Sequence, residues 1–88
     1  MNMTVNATEN LETCDLYLAA FFMSCGCSLV SSYRHKNNGR VYFVIERNPL
    51  IHELQMTYHS REAKVAAATY ADNIKGLKSL CHTISTGE

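Results

Sequence analysis

Cys27 to Arg47, CSLVSSYRHKNNGRVYFVIER, constrains this chain more than any other stretch, because it reads as a β-hairpin turning at Asn37-Asn38-Gly39. Both flanks are rich in β-branched and aromatic residues, which suit a pleated, half-buried surface. Asn-Asn-Gly supplies residues that tolerate positive φ at a tight turn. Register then decides what each face carries, since a one-residue slip exchanges the faces of one strand relative to the other. A two-residue turn at Asn38-Gly39 would set Arg34 opposite Phe43 and Ser32 opposite Ile45, mixing charge into the apolar face. A three-residue loop with Gly39 in the left-handed region sets Tyr33 opposite Phe43 and Ser31 opposite Ile45. The second register is expected. It gathers Leu29, Tyr33, Val41, Phe43 and Ile45 on an inner face and leaves Val30, Ser32, Arg34, Lys36, Arg40, Tyr42, Val44 and Glu46 outside.

The 88 residues make one domain, burying about 60–65% of the unfolded chain's surface. Eight basic and eight acidic residues cancel, so general attraction to nucleic acid or acidic membranes is not implied and any anion site must be local. Cys14, Cys25, Cys27 and Cys81 lie in or beside apolar stretches and read as free thiols of a reducing compartment rather than a disulfide framework. The apolar run Leu16–Met23 follows an acidic segment without Lys or Arg, the wrong lead for a signal peptide. It is also too short to cross a hydrocarbon layer of about 30 Å as a helix. A soluble, cytoplasmic protein without membrane contact is expected.

In chain order, residues 1–12 are polar and aperiodic and are expected to form a flexible tail. Thr13 or Asn10 caps a helix with Asp15 at its positive end, running to about Ser24 and stopping at Gly26. That helix is apolar almost all round, so either the later helices cover its far side or a second copy of the chain does. After the hairpin, Asn48-Pro49 opens a short helix to about Tyr58. Ser60 then caps a last helix from Arg61 to about His82, with a seam of Ala63, Ala67, Tyr70, Ile74, Leu77, Cys81 and Ile84. Gly76 within it marks a close helix crossing or a weak point costing roughly 1 kcal/mol. The expected fold class is α+β: a single α-β-β-α-α domain over residues 13–84, a two-stranded antiparallel hairpin packed against helices, with 85–88 disordered.

Asp15-Leu16-Tyr17-Leu18-Ala19-Ala20, Gly39-Arg40-Val41-Tyr42-Phe43-Val44 and the run from Tyr70 to Leu77-Lys78-Ser79-Leu80 together resemble a family of short bacterial and phage proteins classed as a domain of unknown function. The resemblance spans about residues 14–82 and carries structural positions rather than a reaction centre. It implies a small accessory protein, of the kind phages and mobile elements encode. Cys25-Gly26-Cys27 lies outside that pattern.

Cys25-x-Cys27 with Cys81-His82 offers four metal-type donors, but the spacing is not that of a zinc site, and adjacent helical residues diverge by about 100°. No metal and no cofactor is expected. Nucleophilic catalysis needs a thiolate or hydroxyl beside an oriented base, and the histidines at 35, 52, 59 and 82 sit in no such motif. Isolated glycines rule out a phosphate-cradling loop, and the chain reads as a non-enzyme.

Its strongest functional signal is the hairpin tip. Arg34, Lys36 and Arg40 crowd one end with Tyr42 interleaved, and the expected register sets Lys36 opposite Arg40, a like-charge pair that an anion would relieve. An ordinary solvated turn would look much the same. The functional expectation is a small non-catalytic binding module contacting nucleic acid or a nucleotide through Arg34, Lys36 and Arg40, with Tyr42 as a stacking surface. The alternative is a homo-oligomeric interaction module, most simply a dimer, or else an inhibitor of a host protein or defence system, meeting its partner through Tyr17, Phe21, Phe22 and Val44.

Overall fold

The hairpin forms, and a strand not expected from the sequence completes it. The computed structural model describes residues 10–86. In chain order these form β1 (Leu11–Thr13), α1 (Leu16–Ser24), β2 (Leu29–Arg34), β3 (Val41–Ile45), α2 (Ile51–His59) and α3 (Ala67–Thr86). The class is α+β, but the sheet has three antiparallel strands in the order β1-β3-β2. The expected α-β-β-α-α order therefore gains a strand at its start. Leu11 and Glu12, assigned to the tail, belong to β1; residues 1–9 of that tail lie outside the described residues. At the other end the α3 backbone includes Ser85 and Thr86, while Gly87 and Glu88 lie outside the described residues.

β1 pairs Leu11 with Ile45 and Thr13 with Phe43, so β3 is hydrogen-bonded on both sides. Phe43 and Ile45 are buried in the apolar cluster on the inner face, and Val44, on the opposite face, is buried between its neighbours Glu12 and Ser31 on the two flanking strands. Three residues are too few to show a period of two, so β1 had no legible signal of its own.

The register differs from the expected one. Ser32 lies opposite Phe43, Tyr33 opposite Tyr42 and Arg34 opposite Val41. The tip loop holds four residues, Lys36 to Gly39, closed by His35 N–H donating to the Arg40 carbonyl (2.8 Å) and Gly39 N–H donating to the His35 carbonyl (2.9 Å). Gly39 does take the left-handed conformation, at φ 73°. The extra residue is held by two side-chain contacts. His35 Nδ1 accepts from the Asn37 amide (3.1 Å), and Asn38 Oδ1 accepts from the Arg40 amide (2.9 Å). Tyr33 consequently moves to the outer face, Ser32 and Arg34 turn to the helix side, and Lys36 is in the loop rather than opposite Arg40. A bulge between Leu29 and Ser31 shifts the pairing once more, returning Leu29 to the inner face opposite Ile45.

The helices pack on that inner face. Leu18, Ala19, Ala20, Phe21 and Phe22 of α1 join Phe43, Ile45, Ile51 and Leu77 in one apolar cluster. α1 touches β1, β3, α2 and α3, so Leu18 to Phe22 are covered within the single chain while Tyr17 stays exposed. Asp15 itself caps α1, its carboxylate accepting from the Tyr17 and Leu18 amides (3.1 and 3.2 Å), while Thr13 accepts from the Asp15 amide. At the far end Cys27 N–H reaches the Phe22 carbonyl (2.9 Å) and Gly26 N–H the Met23 carbonyl (3.1 Å), with Gly26 at φ 95°, a Schellman closure.

α2 ends in the same pattern: Glu62 N–H on the Thr57 carbonyl and Arg61 N–H on the Tyr58 carbonyl, both 3.1 Å. Here Arg61 occupies the left-handed position, at φ 67°, a conformation costing roughly 1 kcal/mol for a residue with a Cβ. This closure corrects the expected cap. Ser60 ends α2, its amide donating to the Met56 carbonyl (3.0 Å), and α3 does not begin until Ala67. At the start of α2, Asn48 Oδ1 accepts from the Leu50 amide (2.8 Å) and so caps a turn ahead of the helix. The expected seam survives in part, with Leu77 buried and Tyr70, Ile74 and Cys81 packed against the core, while Ala63 joins them from the segment before the helix. A Cβ at Gly76 would meet nothing within 4 Å, so that glycine marks a weak point and not a close crossing.

Candidate anion and base-stacking surface

The outer face of the sheet carries a separate cluster. Glu12, Ser31, Tyr33, His35, Arg40, Tyr42 and Val44 fall on this face by register, and none belongs to the core cluster. Tyr33 and Tyr42 face each other across the β2–β3 ladder with ring centroids 5.7 Å apart and planes at 13°, a near-parallel stack. His35 packs on Tyr42 from the tip side, at 5.5 Å and 47°. The Tyr33 hydroxyl donates across the central strand to Glu12 Oε1 (2.6 Å), and the Tyr42 hydroxyl accepts from Asn38 Nδ2 (3.3 Å). The Glu12 hydrogen bond is the main cause holding the Tyr33 phenol above its ordinary pKa, since ionisation would remove the donated proton beside a carboxylate. Both rings are thus fixed by polar tips and mutual contact, with Tyr33 still 40% exposed.

This arrangement redistributes the residues expected from the sequence. Tyr42, the expected stacking residue, is half-buried between Tyr33 and His35, so the accessible ring surface is that of Tyr33. Tyr33 was missed because the expected register turned it inward. Its signal was its hydroxyl, which suits a wet face better than an apolar interior. Arg40 lies on the outer face, its Nη1 donating to Cys14 Sγ at 3.8 Å. Arg34, on the helix side of β2, and Lys36, in the loop, instead join His35 and Gly39 in lining a notch at the tip. The basic residues therefore flank the end of the ribbon on two sides and do not form one row.

The expected contact surface is also redistributed. Phe21 (3% exposed), Phe22 (0%) and Val44 (7%) are buried by the chain itself and present nothing to a partner. Tyr17 remains exposed, with its carbonyl accepting from the Tyr70 hydroxyl (3.3 Å). Among the described residues no group of three or more His, Cys, Asp or Glu is placed to hold a metal ion. Burial raises the pKa of the Cys27 and Cys81 thiols, in Cys27 with a further contribution from nearby Cys25, which favours the protonated form over a nucleophilic thiolate. No described helix is long and apolar enough to cross a membrane.

Neither the curated proteins nor the solved structures contain a match to this chain. A family model does match, that of the domain of unknown function DUF5659, over residues 8–83. Most of the chain lies within that match, and the protein belongs to the DUF5659 family.

Proposed function

We propose that this protein is a small non-catalytic binding module that engages single-stranded nucleic acid through the outer face of its sheet. The observation that carries the reading is the Tyr33–Tyr42 stack, set on the face away from the helices, with His35 and Lys36 at the tip notch and Arg40 paired with His35 across the turn. A base can lie on an aromatic ring whatever its identity, a contact worth about 1–3 kcal/mol, and nearby cations track the phosphates. The chain's overall neutrality makes this a local attraction, so affinity should be modest and strongly salt-dependent. Such a module suits an accessory protein of phage or mobile-element origin.

The test is fluorescence anisotropy with a labelled single-stranded oligonucleotide of mixed sequence at low salt. Binding should weaken at least tenfold on raising salt from 50 to about 200 mM and with the double variant K36A/R40A. Tyr33→Ala should weaken it by a comparable factor without changing the salt slope. Failure to bind at low salt would overturn the reading.

A further inference from the structure

His35 belongs to two features at once: it packs against Tyr42 on the outer face, and it lines the notch with Arg34, Lys36 and Gly39. From this juxtaposition we infer that the notch is a phosphate subsite adjoining the stacking surface, so that the unit recognised is a phosphorylated nucleoside. The inference rests on the nucleic-acid reading and sharpens it.

The chain supplies what a phosphate needs. Two basic side chains line the notch from positions two residues apart, Arg34 on the last residue of β2 and Lys36 on the first residue of the loop. Gly39 leaves the far wall without a side chain, and a Cβ built there would meet nothing within 4 Å, so the notch is open to an incoming group. The floor is fixed, because the Gly39 and His35 amides are both engaged in closing the turn. His35 accepts from the Asn37 amide through Nδ1, which puts the ring proton on Nε2, the nitrogen able to donate to a phosphate oxygen.

Spacing favours one nucleotide as the unit. Tyr33, with the accessible ring, precedes His35 by two residues on an extended strand, a separation of about 7 Å. A base lying on Tyr33 can therefore carry its own phosphate to the notch. Glu12, bonded to the Tyr33 hydroxyl, lies at the opposite end of the stack and would repel a phosphate placed there, which fixes the direction of the ligand.

Amide and aromatic NMR shifts of the intact protein would be followed against four probes at low salt: inorganic phosphate, a nucleoside, the corresponding nucleoside 5′-monophosphate, and an oligonucleotide without terminal phosphates. Inorganic phosphate should shift Lys36 and Gly39 amides alone. The nucleoside should shift Tyr33 ring signals alone, and the monophosphate should shift both sets with at least fivefold higher affinity than either part. Lys36→Ala should remove that gain while leaving the nucleoside response unchanged. Oligonucleotide binding with no response of Lys36 or Gly39 to phosphate or monophosphate would overturn the subsite while leaving the stacking face standing. Phosphate or monophosphate binding at the notch without oligonucleotide binding would overturn the nucleic-acid reading but not the subsite. Silence from all four probes would remove both.

Discussion

One sheet presents two faces built on different physical terms. The inner face holds Leu11, Leu29, Val41, Phe43 and Ile45 against the central helix by apolar burial, an attraction without direction. The outer face holds Tyr33, Tyr42 and His35 by ring contacts and by hydrogen bonds to Glu12 and Asn38, each with a required geometry. A face made by burial tolerates little change of volume and offers nothing to a ligand. The other, made by oriented polar contacts, keeps its rings in place with one of them still accessible. The same β3 strand serves both, its alternate residues belonging to opposite sides.

The contrast can be broken by substitution, beginning inside. Phe43→Ala removes a ring that is 1% exposed from the centre of the cluster, and should cost about 3–5 kcal/mol in urea unfolding, leaving little folded protein. An outer substitution with an equal effect would show that the two faces are not energetically distinct. Tyr42→Ala should cost much less, about 1–2 kcal/mol, from the lost stack and partial burial. Its second readout is Tyr33 ring mobility, which should rise because the stacked neighbour is gone.

Tyr33→Phe should have the smallest effect near neutral pH, a shift of the urea midpoint smaller than that of Tyr42→Ala, because the hydrogen bond it removes is exposed to solvent. Its signature is alkaline. With the folded-state pKa of Tyr33 raised, the stabilisation is full below the ordinary tyrosine value near 10 and is lost as pH rises through the higher folded value. Denaturation midpoints followed upward from pH 9 should fall less steeply in the variant. Some slope should remain, since burial and the charge of Asp15 also raise the pKa of Tyr58.

Much of the inner face was legible in the sequence. Val41, Phe43 and Ile45 alternate with period two, Gly26 ends α1, Gly39 closes the turn, and the 3–4 spacing of Tyr70, Ile74, Leu77 and Cys81 marks the buried side of α3. The α+β class follows from these signals alone. Phe21 and Phe22 were ambiguous because a helix apolar all round looks the same whether a neighbouring element or a second copy covers it. What escaped depends on contacts between distant residues or on side chains acting in place of backbone. β1 gains its partner only once β3 is in place. The tip is lengthened by the imidazole of His35, and α2 closes on Arg61 where composition would favour glycine. The candidate site suffered most, because one residue of loop length decides whether Tyr33 or Arg34 faces outward.

The bulge near Val30 matters beyond local geometry. It lets the distal half of the ribbon be phased independently of its base, so the slip introduced at the tip is absorbed before it reaches Leu29 and the core. The strand works like a slip joint in a shaft, transmitting support without transmitting alignment. A lineage could therefore lengthen or re-aim the recognition end while the fold's foundation stays untouched, and variation among related chains should concentrate beyond that joint.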